Sequence, residues 1–318
     1  MNMHLDFEKP IVELEQKISE LKDLKLAGKV NIDHELKKLE QKLSHLIITT
    51  FSKLDPWQKT QLSRHPNRPY FLDYVNEIFE NFTELHGDRN FSDDKSIIGG
   101  LAQFANQPVM LIGHQKGRST KEKMQRNFGM PQPEGYRKAL RLMGLAERFF
   151  IPIITFIDTP GAYPGIEAEE RGQAEAIAKN IMVMSHLKVP IISVVIGEGG
   201  SGGALAIGVA NKILMLEYTT YSVISPESCA AILWRDATKG EIASKSLKLT
   251  AEEIYKLGIA DEIIPEPDGG AHRNFKKAAL NLKTSIGKTL TALNKLSPIA
   301  LVKDRDAKFR KIGVFSDE

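Results

Sequence analysis

Between Ile191 and Glu217 the chain reads IISVVIGEGGSGGALAIGVANKILMLE, and this stretch restricts the possible folds more than any other. Ile191, Ile192, Val194, Val195 and Ile196 form an apolar, β-branched run of the kind found in a buried strand. Gly197-Glu198-Gly199-Gly200-Ser201-Gly202-Gly203 follows, then a short helix without a polar face over 204–209 and a second strand over 213–216. Glycines at a strand-to-helix turn let backbone approach a ligand, because no Cβ stands in the way. The free N–H groups that open a helix, with its dipole, favour negative charge at that point. The turn is therefore suited to an anion, either a bound phosphate or an oxygen that becomes negative during reaction.

Three chemistries use such a turn. Gly197, Gly199 and Gly202 fit G-x-G-x-x-G, with Glu217 placed as the ribose-binding acid of a dinucleotide site. Gly199, Ser201 and Gly203 fit G-x-S-x-G, the nucleophile elbow of hydrolases. The third needs no side chain: the amides of Gly202 and Gly203 form an oxyanion hole. A glycine-rich packing turn without a ligand fits the same letters. The turn alone does not choose among them.

Composition removes several classes. The 318 residues carry 43 Lys and Arg against 40 Asp and Glu, so bulk charge calls for neither nucleic acid nor a membrane surface. One cysteine, Cys229, excludes an intrachain disulfide and argues against a zinc cluster; beside Ala230, Ala231 and Ile232 it reads as a core residue. The opening MNMHLDFEKP lacks the apolar run of a signal peptide, and Glu198 with five glycines interrupts the most apolar region. A cytoplasmic protein without a membrane span is expected.

The rest of the chain places the turn in an α/β fold. Ile11, Leu14, Ile18 and Leu21, then Leu36, Leu39, Leu43 and Leu46, form two seams separated by Gly28 and a cap at Asp33. They predict an N-terminal helical hairpin within 1–66 that docks another subunit. Pro66 and Pro69 mark a boundary, and a helix is expected over 70–85 with Tyr74, Ile78, Phe82 and Leu85 on one side. Strands at 97–104 and 109–114, joined at Asn106-Gln107-Pro108, predict a β-hairpin. The loop 114–130 holds Lys116, Arg118, Lys121, Lys123 and Arg126 against the single acid Glu122, which suits attraction of a polyanionic substrate.

A helix over 134–150, a strand over 153–157, a glycine turn at Gly161 and a helix over 167–186 then repeat the strand–turn–helix unit ahead of Gly202. Two such turns suggest two backbone walls of one pocket. Later come a strand at 221–225, a helix at 226–233, a capping box of Thr250 and Glu253 on a helix ended by Gly258, and a strand at 259–264. A helix over 274–296 and a charged tail finish the chain. The expected division is 1–66, a catalytic domain over 67–275, and a C-terminal helix and tail over 276–318.

Seven segments carry a closer resemblance. GHQKGR (113–118), RNFGMPQPEGYRKALRLM (126–143), PIITFIDTPGAYPG (152–165), EERGQAEAIA (169–178), VIGEGGSGGALAIG (195–208), YSVISPESCA (221–230) and IIPEPDGGAHR (263–273) resemble the alpha subunits of bacterial acetyl-coenzyme A carboxylase carboxyltransferases, within the crotonase-like superfamily. The resemblance implies a crotonase-like superhelix of repeated β-β-α units. It implies a separate beta subunit in an α2β2 assembly, with zinc on the beta chain. It implies transfer of a carboxyl group from carboxybiotin, borne on the biotin carboxyl carrier protein, to acetyl-CoA, giving malonyl-CoA. ATP would be used by another component, biotin carboxylase; this chain has no G-x-x-x-x-G-K-[ST] motif.

On that reading Gly202 and Gly203 donate to the developing ureido oxyanion, each donor lowering the barrier by roughly 3–4 kcal/mol. Gly161, Ala162, Gly199 and Gly200 form the pocket wall, and Lys116, Arg118 and Arg126 attract substrate phosphates. The departing biotin can act as base, so no His or Glu is required here. The rivals fit less well. Asn211 and Lys212 cut the helix after Gly202 short for a dinucleotide site, and an elbow with Ser201 and His272 needs no glycine at 200 or 202.

Overall fold

A computed structural model describes residues 4–26 and 32–313; Gly28, expected at the break between the helical seams, lies outside them. Eight strands form one sheet: β1 (Glu80–Glu84), β2 (Ile97–Phe104), β3 (Gln107–His114), β4 (Ile153–Thr159), β5 (Ile191–Gly200), β6 (Lys212–Leu216), β7 (Thr220–Ser222) and β8 (Glu262–Ile264). Their order is β1-β2-β3-β4-β5-β6-β8, and β7 pairs with the far end of β5. The β1–β2 and β2–β3 pairs are antiparallel, and the pairs from β3 through β8 are parallel.

The parallel strands are apolar on both faces because both faces are covered. Ile153, Ile157, Ile191 and Val195 point to one side, and Ile154, Phe156, Ile192 and Val194 to the other. Helices stand in chain order as α1 (Lys9–Leu26), α2 (Asp33–Phe51), α3 (Pro56–Ser63), α4 (Phe71–Ile78), α5 (Thr120–Gln125), α6 (Pro133–Arg148), α7 (Ile166–Glu170) and α8 (Gln173–His186). They continue as α9 (Ser201–Leu205), α10 (Pro226–Trp234), α11 (Gly240–Ser246), α12 (Ala251–Lys256), α13 (Phe275–Leu293) and α14 (Pro298–Arg310). Leu142 and Met143 of α6 with Ala176 and Met184 of α8 cover the first face. Phe71 and Tyr74 of α4 with Leu282 and Ile286 of α13 cover the second.

Several expectations are corrected. The helix expected over 70–85 stops at Ile78. Phe79 is extended, Asn81 has φ +54°, and residues from Glu80 on pair with β2 across a bulge. The glycine pair in β2 admits this edge strand, since a Cβ at Gly100 would lie 2.0 Å from the Thr83 carbonyl oxygen. The hairpin turn is Ala105-Asn106, both at positive φ as a two-residue primed turn requires, and Pro108 sits within β3. The helix expected over 167–186 breaks at Gly172 (φ +81°) into α7 and α8. Asp33 is the first residue of α2, not its cap, which is Ile32. The last strand is shorter than 259–264, and Cys229 is half-buried rather than in the core.

The N-terminal hairpin lies on its own chain. Ile11 and Phe51 pack with Leu54, Leu62 and Tyr218 in a small cluster of their own. At its foot the buried Glu8 carboxylate accepts the Leu5 amide at 3.0 Å and the His272 Nε2 hydrogen bond at 2.9 Å. The segment expected to stand apart from 276 onward enters the main core through α13. Asn211, next to β6, donates to the Leu301 carbonyl at 2.8 Å and so holds α14.

Candidate active site at the glycine turns

Strands β4 and β5 leave the sheet side by side, and each ends in a glycine turn. Thr159 pairs with Gly199 after a register shift, and Glu198 to Gly200 continue β5 alongside β7. There the two turns meet backbone against backbone. A Cβ at Gly200 would lie 2.1 Å from the Pro160 carbonyl oxygen, and one at Gly203 would lie 2.6 Å from the Ala162 nitrogen. No side chain fits in either place, so these two glycines are conditions of the convergence. Thr159 Oγ1 accepts the Gly161 amide at 3.1 Å and donates to the Gly129 carbonyl at 2.7 Å, tying the first turn to the loop before α6.

Ser201 opens α9 in the left-handed region, at φ +52°, with its side chain exposed. Gly202 is half-buried and Gly203 buried. Their amides belong to the first turn of a five-residue helix, ahead of its first i→i−4 bond, and the residue at the cap, Gly200, has no side chain to accept from them. A cavity of about 370 Å³ opens beside them, between Gly202, Leu205, Tyr221, Val223, Leu247 and Ile259. Gly202 thus stands at one end of an apolar recess that can hold a ring with a polar head, and Gly203 lies directly behind it.

Charge is concentrated behind the turns. The Lys116 ammonium lies 2.8 Å from Asp158 Oδ1, at the end of β4, and 2.8 Å from Glu198 Oε1, in the β5 extension. Arg64 donates to Glu198 Oε2 at 2.7 Å and to Glu227, on α10, at 2.6 Å. Burial would lower the Lys116 ammonium, but the two carboxylates hold it above its ordinary value. Burial raises the Asp158 carboxyl above the usual range against the pull of Lys116. At Glu198 the opposing cations, Lys116 and Arg64, outweigh burial and hold the carboxyl low. His114, beneath the turns, is pushed by burial to about 3 and is neutral. Arg68, itself buried, donates to the Ile196 carbonyl at 2.7 Å and pairs with Glu266, anchoring β5 just before its glycines.

Of the residues singled out from sequence, Gly199, Gly200, Gly202, Gly203, Gly161 and Ala162 come together. Lys116 does not extend toward solvent; it is enclosed with Asp158 and Glu198. Arg118 bonds Asp73 at 2.5 Å and lies over the Tyr70 ring, while Arg126 donates to the Lys95 carbonyl at 2.7 Å, so both are stitched to the body of the protein. Sequence reasoning missed Arg64, Asp158 and Glu198. The available signal was Glu198 itself: an acid inside an apolar strand end requires a buried cation.

The rival readings lose their supporting residues. Glu217 accepts the Glu266 amide at 3.0 Å, a contact inside the fold, and His272 is bonded to Glu8. Glu8, His65 and His272 have donor atoms close enough to hold a metal ion, but they lie at the foot of the N-terminal hairpin.

Comparison with known proteins agrees with this geometry. Residues 4–313 match the family profile described as acetyl co-enzyme A carboxylase carboxyltransferase-like. The chain is 55% identical over 315 residues to the acetyl-coenzyme A carboxylase carboxyl transferase subunit alpha of Thermus thermophilus, covering 99% of this chain and 100% of that one. It is 58% identical over 313 residues to that of Geobacter metallireducens, covering 98% of each. Solved structures share the fold at low identity. The beta subunit of Pseudomonas aeruginosa geranyl-CoA carboxylase superposes with TM-score 0.57 at 17% identity, over 74% of this chain and 43% of that chain. Transcarboxylase 12S gives 0.53 at 20%, over 67% of this chain, which spans 41% of that chain's length. A Pseudomonas malonate decarboxylase hetero-tetramer gives 0.55 at 17%, over 69% of this chain and 89% of that one. These neighbours fit the crotonase-like architecture expected from the repeated strand–turn–helix units. With nearly its whole length matched and more than half its residues identical to these relatives, the chain belongs to the family of acetyl-coenzyme A carboxylase carboxyltransferase alpha subunits.

Proposed function

We propose that this chain forms one half of a carboxyl-transfer site, completed by a separate beta subunit in an α2β2 assembly. The pair moves a carboxyl group from carboxybiotin, carried on the biotin carboxyl carrier protein, to acetyl-CoA, and the product is malonyl-CoA for fatty acid synthesis. Biotin carboxylase, a different component, uses the ATP, and zinc belongs to the beta chain. The observation that carries the reading is the convergence of two glycine turns, backbone against backbone, with Gly202 of the second turn lining an apolar recess.

The recess fits such a donor: aliphatic walls suit the edges of a fused ring, and amides suit its carbonyl head. The donor supplies a labile N-bound carboxyl group, whose departure puts negative charge on the ureido oxygen. Gly202 and Gly203 meet that charge with two fixed dipoles, worth most where water is excluded. Gly161, Ala162, Gly199 and Gly200 hold these amides in place and line the approach. The bound donor, once its N–C bond has broken, would supply the base for the methyl proton at its ureido nitrogen, and the resulting enolate carbon would take the released carboxyl group, so no side chain of this chain is required as general base. Arg118 and Arg126 keep a positive rim where the phosphates of coenzyme A would pass. The outer surface of the hairpin within 1–66 docks a neighbouring subunit, while its inner side packs against its own chain. Among the described residues no helix is long and apolar enough to cross a membrane; the proposed place of the reaction is the cytoplasm.

The test is reconstitution. This chain, mixed with the beta subunit of its host, is expected to decarboxylate malonyl-CoA in the presence of biotin, and to lack that activity alone. Full activity from the purified single chain would overturn the two-subunit reading.

A further inference from the structure

We infer that Lys116 is a positioning residue for carboxyl transfer: its ammonium bridges Asp158 on β4 and Glu198 on β5, and so sets the spacing of the two glycine turns those strands carry. The inference rests on the reading of Gly202 and Gly203 as oxyanion donors, and it names what aims them.

The strand ladder and the backbone contacts at Gly200 and Gly203 limit how close the turns come, and the bridge adds a charged tie at their roots. Asp158 precedes Pro160 and Gly161, and Glu198 precedes Gly199 and Gly200, so each carboxylate sits at the root of one turn. Their side chains are 3% and 11% exposed, and that of Lys116 is 14% exposed, which keeps the bridge largely out of water and poorly screened. The Glu198 amide donates to Asp158 Oδ1 at 3.2 Å, and a Cβ at Gly197 would lie 2.2 Å from the same oxygen. The strands are thus drawn together at this level by one carboxylate and one ammonium. Arg64 braces Glu198 from the other side and extends the brace to Glu227.

Removing Lys116 leaves two enclosed carboxylates, both formerly within hydrogen-bond reach of one nitrogen. Both cannot stay ionised at that separation without cost, so the pair takes up a proton or moves apart. The charged and titratable groups that face them from the surrounding elements are Arg64, Arg68, Tyr70, Tyr74, His114 and Glu227. Arg64 and Arg68 stay charged, both held above the ordinary guanidinium value. Tyr70 and Tyr74 are raised chiefly by burial and stay neutral, as His114 does. Lys116 also lowers His114, so a new pH dependence in a Lys116 variant is assigned to the carboxylate pair where Asp158→Asn removes it.

The experiment uses the complex reconstituted with the beta subunit, its assembly checked by size-exclusion chromatography, and compares Lys116→Met, Lys116→Arg and the double variant Lys116→Met/Asp158→Asn. A displacement near 1 Å costs on the order of a hundredfold, so Lys116→Met should lose about ten- to a hundredfold in kcat with KM for malonyl-CoA nearly unchanged. The loss should deepen as pH rises and the pair ionises, and wild type should not share that trend. Lys116→Arg should recover part of kcat. The double variant, which has no stranded carboxylate pair, should recover kcat and flatten the pH profile. It also provides the reading if Lys116→Met alone fails to fold.

A raised KM with unchanged kcat, weakening as salt rises, would overturn the inference and return Lys116 to the role of phosphate attractor. Unchanged kinetics, or an equal loss at every pH that Asp158→Asn does not relieve, would also overturn it. A wild-type complex without carboxyltransferase activity would sink the functional reading, and this inference with it. An active wild type with an insensitive Lys116→Met sinks only the inference.

Discussion

The N-terminal hairpin and the paired glycine turns are held together in opposite ways. In the hairpin, side chains do the holding: Ile11, Phe51 and Leu62 interlock, Glu8 meets His272, and Lys22 pairs with Glu40 at 2.7 Å on the surface. In the turns, backbone meets backbone, and Gly200 and Gly203 are there because nothing larger fits. A side-chain contact can often be trimmed at graded cost. A backbone contact cannot, because the smallest possible addition already overlaps its neighbour. Substitutions that leave the amides in place should therefore separate the two regions by effect on rate and effect on stability.

The largest expected effect is at Gly203. Gly203→Val drives its side chain into the Gly161–Ala162 backbone and swings both donors, so kcat in the assembled complex should fall on the order of a hundredfold or more. The obstacle lies in the opposite turn, and Gly203 has no left-handed φ to strain. Gly202→Ala sharpens the contrast, since its Cβ would meet Ile177 only at an ordinary 3.7 Å. It should cost less than about tenfold, as the amide is retained. Equal losses at the two positions would break the distinction between a packed and an open glycine.

Ser201→Ala should also cost less than about tenfold, because the hydroxyl is not a nucleophile on this reading. The left-handed backbone at Ser201 resembles the strained turn of a hydrolase elbow, so ester hydrolysis should be assayed alongside. Loss of both activities would favour the elbow.

The hairpin should respond to acid. Two histidines, led by His272, outweigh burial and hold the Glu8 carboxyl well below its usual range, while burial holds His272 below 6.5. Both folded-state values are depressed, so both groups contribute stability at neutral pH. The His272 part is lost as pH falls below its unfolded value near 6.5, and the Glu8 part at much lower pH. Hydrogen exchange of residues 9–26 should rise from about pH 6.5 downward before the sheet is affected. Glu8→Ala should remove the low-pH part and deepen the His272 part, because Glu8 is what raises the imidazole against burial, and should cost about 1–3 kcal/mol. The smallest effect belongs to Lys22→Ala, whose exposed partner Glu40 should make the change worth less than about 1 kcal/mol in thermal unfolding.

Much of this was legible from residues. The apolar runs at 153–157 and 191–196 are strands because β-branched residues covered on both faces can do little else, and a glycine turn follows each. What failed was local. Phe82 and Leu85 continue a helical spacing, but Asn81 takes a left-handed φ and the chain turns onto the open edge of β2. The 167–186 pattern hid Gly172, where a single left-handed glycine divides one helix into two. Lys116 was the instructive error. A basic loop in one dimension looks like a solvated face, and the carboxylates that capture this lysine come from residues 158 and 198, whose proximity only the sheet order creates.

The most direct measurement is a crystal structure of the reconstituted complex with biotin bound. The expected result is a ureido oxygen within about 2.7–3.1 Å of both the Gly202 and Gly203 amide nitrogens, with the ring in the recess beside Leu205 and Tyr221. A ureido oxygen held by the Ser201 hydroxyl or by a side chain of the beta subunit, with both amides turned away from it, would contradict the assignment.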